Sequence, residues 1–151
     1  MYVLLFSQVT YELIRPEMNV TWNANNIERD IGSIKHPCTC LDFVFNIFNS
    51  RGDHVYKLNV PYCQRGICCG NLGRCYEVNI DIFKVAETEE PCGKIIKIAK
   101  CSSCVTNADT FNVFYPKDAT PEEKMLIISA TLMIDYTFFE DNGDNGGIAY
   151  D

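Results

Sequence analysis

Positive charge is in short supply: 13 Lys and Arg stand against 20 Asp and Glu, a net charge of −7 over 151 residues. That balance excludes nucleic acid, or an anionic membrane, as a partner for the surface as a whole and leaves only local basic patches. Nor does the opening segment read as a secretory leader. The opening Met-Tyr-Val-Leu-Leu-Phe-Ser-Gln has neither a positive n-region nor a long apolar h-region, so the expectation is a strand in a cytosolic chain. In that compartment cysteines stay reduced. Asn19-Val20-Thr21 then becomes a chance match to a glycosylation site, and Arg51-Gly52-Asp53 a hairpin turn. No nucleophile–base–orienter set is recognisable, since serines, histidines and acids are scattered without an elbow or catalytic motif. That argues against a bond-making enzyme. No repeat stands out.

What is abundant is apolar alternation. Apolar residues make up 47% of the chain, enough to fill the core of one domain. Leu41, Phe43, Phe45 and Ile47 point one way, while Asp42 and Asn46 point the other. Asn49–Asp53 turns the chain, and His54–Val60 returns as the partner strand. Tyr76, Val78, Ile80 and Ile82 alternate with Glu77, Asn79 and Asp81. Lys94–Ala99 and Thr110–Tyr115 are two further strands; Tyr2–Phe6, Thr10–Arg15 and Ile31–His36 carry weaker patterns. The acidic, glycine-rich tail Asp141–Asp151 reads as disordered.

One helix follows the strands. Thr120 can cap it, Pro121 suits its first position, and Glu123 stands where a capping box places its acid. From Met125 to Phe139 the only charged residue is Asp135. A surface helix would show a polar face, and this one shows almost none. At ~1.5 Å per residue Pro121–Glu140 measures roughly 30 Å, a bilayer's hydrocarbon thickness. Its strictly apolar part is nearer ~15 residues, short of a usual span. An aspartate near the centre costs about 2.5–3.5 kcal/mol on insertion scales. The expectation is therefore a helix buried through Met125, Ile128, Leu132, Asp135 and Phe139 inside a β-sheet curled around it, with Asp135 bonded to sheet backbone.

Nine cysteines, with His36 and His54, raise two further ideas. Cys101-x-x-Cys104 has zinc-ligand spacing, and Cys63, Cys68, Cys69 and Cys75 are close in sequence, yet no second well-spaced pair follows Cys101/Cys104. For Cys68-Cys69, thioester-linked acyl chains would hold a cytosolic domain on a membrane, two far better than one. Ordinary buried or turn cysteines are the plainer alternative.

The run Asn107–Glu140 resembles the C-terminal signature of the phospholipid scramblase family, where a strand ending in Phe-Pro or Tyr-Pro leads to a helix ending Ile-Asp-Phe/Tyr-x-Phe-Phe-Glu. Ile31-Gly-Ser-Ile, His36-Pro37-Cys38, Pro61-Tyr-Cys63, Cys68-Cys69-Gly70, Glu77-Val78 and Gly93-Lys94-Ile95-Ile96-Lys97 resemble further family motifs in the same order. The likeness covers Ile31–Glu140, and more faintly Gln8–Pro16. It implies a tubby-like β-barrel threaded by a central C-terminal helix. Here the early strands and the proline-rich region are absent, and the multi-cysteine segment expected after Pro16 is Glu17-Met-Asn-Val-Thr-Trp22. The expectation is thus an incomplete barrel over 1–140, with open edges, an exposed helix flank and a tendency to pair with other chains or contact membrane.

The resemblance also implies function: Ca2+-responsive, ATP-independent, bidirectional movement of phospholipids between leaflets, at the cytoplasmic face of the plasma membrane. It assigns Ca2+ to Asn107, Asp109, Phe111, Val113, Tyr115 and Asp118 as in an EF-hand loop. Phe111 and Val113 would offer only carbonyl oxygens, Asn112 replaces the turn glycine, and Asp118 replaces the terminal Glu. It matches Lys94, Lys97 and Lys100 to a nuclear-import strand, so that importin or signalling proteins are partners of the alternative: a non-catalytic membrane-docked or nuclear module. A solvated strand edge explains the same lysines.

Overall fold

The computed structural model describes residues 3–12, 15–24, 27–37, 42–61, 77–86, 90–98 and 110–138. Cys63, Cys68, Cys69, Cys75, Lys100, Cys101, Cys104, Asn107, Asp109, Phe139 and the tail 141–151 lie outside them.

Eight strands run in sequence order across a single sheet: β1 (Val3–Glu12), β2 (Arg15–Ala24), β3 (Ile27–Lys35), β4 (Asp42–Asn49), β5 (His54–Pro61), β6 (Glu77–Lys84), β7 (Gly93–Ile98) and β8 (Thr110–Phe114). Every neighbouring pair is antiparallel. The sheet is curled, and helix α1 (Pro121–Phe138) packs against its concave face. Among the described residues the result is an incomplete barrel with β1 and β8 as its outer strands.

The alternation of β4 to β8 emerges as expected. Leu58 and Val60 of β5, Val78, Ile80 and Ile82 of β6, and Ile95 of β7 are fully buried, with Phe45 and Ile47 of β4 beside them. Near the amino terminus the structure departs from expectation. The two short segments Tyr2–Phe6 and Thr10–Arg15 give way to one strand, β1, whose pairing shifts register between Ser7 and Val9. Strand β2 has no counterpart among the expected elements, although Met18 and Val20 bury their side chains in the core and Trp22 packs against it. Both segments join because a hairpin between Glu12 and Arg15 sets the two strands face to face over nine paired positions.

Two turns fix the frame locally. At the β4–β5 hairpin Asn49 Oδ1 accepts from the backbone N–H groups of Arg51 and Asp53, at 3.0 and 2.9 Å, and Gly52 takes φ +82°. Arg51-Gly52-Asp53 is therefore a turn held by Asn49. At the start of α1 the capping box forms: Glu123 N–H donates to Thr120 Oγ1 at 3.2 Å, and Thr120 N–H donates to Glu123 Oε2 at 2.8 Å.

Helix α1 is sheathed on most sides but not on all. Leu126, Ile127, Ala130, Met133 and Ile134 are buried in the core. Fully burying a Leu, Ile or Met side chain contributes about 1.5–3 kcal/mol, so these contacts hold the helix far more than any surface ion pair. Ser129 and Thr131, also buried, satisfy their hydroxyls on the Met125 and Ile127 carbonyls at 2.9 and 2.8 Å. The expected buried set needs correction at two places. Ile128 is 40% exposed and Leu132 is 44% exposed, because the sheet stops short of enclosing the helix. Met125 is half-buried against the core, and Asp135 is also partly exposed.

Candidate functional site

A helix apolar on every side, set in an incomplete barrel, must leave part of itself uncovered. Ile128, Leu132 and Tyr136 follow one another at intervals of one helical turn and form that strip, at 40, 44 and 50% exposure. Among the described residues no helix is long and apolar enough to cross a membrane. The strip is thus a ridge of greasy side chains on a helix whose other faces are held by protein. Such a ridge marks a contact surface more than scattered apolar residues do.

Beside it the fold encloses a charge. Lys97 is 1% exposed, and its Nζ lies 2.8 Å from Asp135 Oδ1 and 5.3 Å from the Phe111 ring centre. Alternation places it there: Ile95 and Lys97 share the inner face of β7, while Lys94 belongs to the opposite parity and is half-buried. Two expectations are corrected. Asp135 bonds to a side chain of β7 rather than to sheet backbone, and Lys97 does not sit on a solvated strand edge. Lys94 and Lys97 do not form one exposed basic face, so a protein that reads them together meets only part of the run on the folded surface.

At the other end of the helix, Tyr56 is buried near the Glu123 carboxylate. Burial, reinforced by the Glu123 carboxylate, pushes its pKa up to about 12. Because the folded value lies above the ordinary one near ~10, the phenol's contribution to stability is complete below pH ~10 and is lost as pH rises toward 12. Tyr56→Phe is expected to remove that component of alkaline destabilisation. Urea midpoints measured for both proteins between pH 9 and 12 test this, with convergence at the alkaline end as the expected pattern.

Of the residues assigned to Ca2+, Asn107 and Asp109 lie outside the described residues, and the others are spread along β8 and the segment that follows it. Phe111 and Val113 lie in β8, paired with Lys97 and Ile95, and their side chains pack against the core. Successive same-side carbonyls of a strand are ~6.6 Å apart, whereas two oxygens on one Ca2+ are separated by at most about 5 Å. Tyr115 packs against the core, and exposed Asp118 pairs with Lys84 at 3.1 Å. The described part of the set does not fit an EF-hand-like loop. Nor does a group of His, Cys, Asp and Glu suited to a metal occur among the described residues. Among the described residues neither His36 nor His54 belongs to such a group. His36 Nδ1 lies 2.8 Å from the Val44 carbonyl oxygen and its ring stacks on Phe45, while His54 stacks on Phe48. Cys92, which carried no expectation, is half-buried, and its thiol donates to the Ile82 carbonyl at 3.3 Å.

No solved structure matches the chain. Human phospholipid scramblase 1 is 31% identical over 112 residues, which cover 72% of this chain and 31% of the relative. The chain therefore spans about a third of the length of that relative. The Scramblase family model matches residues 8–141, nearly all of the sheet together with α1. By that match the chain belongs to the Scramblase family.

Proposed function

We propose that this chain acts in phospholipid scrambling, allowing phospholipids to pass between leaflets in both directions, without ATP and in response to Ca2+. Its family supports the substrate class. The observation that carries the reading to particular residues is the uncovered strip Ile128–Leu132–Tyr136, which offers apolar contact to acyl chains while the rest of α1 stays anchored in the sheet. The barrier to be lowered is the passage of a charged headgroup through hydrocarbon. No bond is made or broken in that passage. The working place is the cytoplasmic face of the plasma membrane, with Cys68 and Cys69 as the sites of acyl anchors.

A second reading is a membrane-docked or nuclear interaction module that moves no lipid, with signalling proteins or importin as its partners. Its support is the way Lys97–Asp135 ties α1 to β7, which suits a helix that stays in the domain. One experiment separates the two. The purified chain is reconstituted into vesicles carrying a fluorescent phospholipid, and outward and inward movement are followed with and without millimolar Ca2+. Faster exchange than in protein-free vesicles, in both directions and without ATP, supports scrambling. Binding without exchange supports the module. Equal exchange with and without Ca2+ removes the Ca2+ response alone.

A further inference from the structure

The uncovered strip of α1 ends in a charge. Asp135 follows Ile128 by seven positions and Leu132 by three, spacings that put all three side chains on one face of the helix. From Met125 to Phe138 it is the single charged residue. Its side chain is 36% exposed, and Lys97, itself enclosed, reaches it from within the fold, with Nζ 2.8 Å from Oδ1. Among the described residues Oδ2 has no hydrogen-bond partner. The carboxylate is thus anchored through one oxygen while the other is unbonded, about 10 Å along the axis from Ile128.

A carboxylate so placed distinguishes the groups that a phospholipid carries. The phosphate is an anion and is repelled, and ester oxygens only accept. A primary ammonium brings opposite charge together with N–H donors, which makes a charge-assisted hydrogen bond to Oδ2. A glycerol headgroup brings hydroxyls but no cation. Lys97 is buried and does not offer its charge to a phosphate. Lys124, one turn before Ile128, is exposed but lies roughly 16 Å from Asp135 along the axis. We propose that Asp135 sets a headgroup preference at the strip, favouring phospholipids with a primary ammonium over those whose headgroup has no cation. The acyl chain lies on Ile128 and Leu132 while the ammonium meets Oδ2. This rests on the scrambling reading above for the lipid itself and adds the residue that tells one headgroup from another.

The test reconstitutes the chain, with millimolar Ca2+, into phosphatidylcholine vesicles holding a trace of acyl-labelled phosphatidylethanolamine or phosphatidylglycerol. The wild type is expected to move the first about two- to five-fold faster, the range that an exposed ion pair supplies. In Lys97→Met the carboxylate loses its internal partner, and the preference rises. In Lys97→Met/Asp135→Asn the two lipids move equally. That variant loses one charge of each sign, so the net charge stays at −7 and Lys124 is untouched. Circular dichroism checks the fold. Flotation of the same proteins with vesicles of phosphatidylcholine mixed equally with either lipid reads binding without exchange.

Exchange at equal rates for both lipids in the wild type overturns the headgroup preference and leaves scrambling standing. A preference that persists in the double variant, or fails to rise in Lys97→Met, overturns it as well. No exchange of any lipid, with a flotation preference that vanishes in the double variant, removes the scrambling reading and sustains the role of Asp135. No exchange and no such preference overturns both.

Discussion

Gly32→Ala lowers the free energy of unfolding by about 2–5 kcal/mol, combining a strained backbone with a steric overlap of similar cost. Gly32 lies in β3 at φ +149°, where side-chain-bearing residues are rare, and pairs with both Val20 and Asn49. A Cβ built there overlaps the Phe48 carbonyl oxygen and comes within 3.1 Å of Asn49 backbone atoms. No side-chain rotation relieves a clash with backbone; β3 and β4 must separate. Gly52→Ala is the matched control, because Gly52 has φ +82° but nothing within 4 Å of its built Cβ. It is expected to cost only about 1 kcal/mol. Urea unfolding followed by the fluorescence of Trp22, the one tryptophan of the chain, measures both. Equal losses for the two glycines would show that close approach of the strands is not what Gly32 serves.

The second large effect is an asymmetry across the enclosed ion pair. Asp135→Asn takes from the buried ammonium of Lys97 the carboxylate 2.8 Å away, and the expected loss is about 2–3 kcal/mol. That is below the cost for a fully buried pair because Asp135 is 36% exposed and part of its field is screened. Lys97→Met removes the buried charge instead and leaves an aspartate that reaches water; it is expected to cost less than about 1 kcal/mol. The double variant should recover most of what Asp135→Asn loses. Thermal and urea unfolding of all three complete the cycle. Equal losses for the two single variants would mean that the pair is a simple surface bridge.

How far the sequence specifies this molecule depends on the distance between interacting parts. Strands β4 to β8 and α1 announce themselves through local patterns: alternation in Leu41–Ile47 and Tyr76–Ile82, the Asn49 turn, and the Thr120–Glu123 cap. Strand β2 was equally legible in principle, since Met18, Val20 and Trp22 alternate with Glu17, Asn19 and Thr21. Pro16 and the loop-like Asn19-Val20-Thr21 obscure it. The same alternation places Lys97 inward beside Ile95, but its partner Asp135 is 38 positions away, and no local pattern connects the two. The uncovered strip was illegible for a different reason. A helix apolar on every side carries no mark of which side the sheet leaves open, so Ile128 and Leu132 look no different from Ile127 and Met133. Phe111 and Val113 lie in β8 because Thr110–Phe114 obeys the two-residue period of a strand. Membership of the Scramblase family rests on ordered motifs spread over most of the chain, and these do not depend on such long-range pairings.

The ordering of the elements bears on biosynthesis. Each strand hydrogen-bonds to the strand made just before it, so a nascent chain can lay down its sheet progressively as it leaves the ribosome. The rod that fills the trough is translated after all eight of these strands. Until then the lining of Val20, Ile34, Phe45, Leu58, Ile80 and Ile95 stands empty, and a polypeptide stalled before Pro121 is a substrate for chaperones or a seed for precipitation.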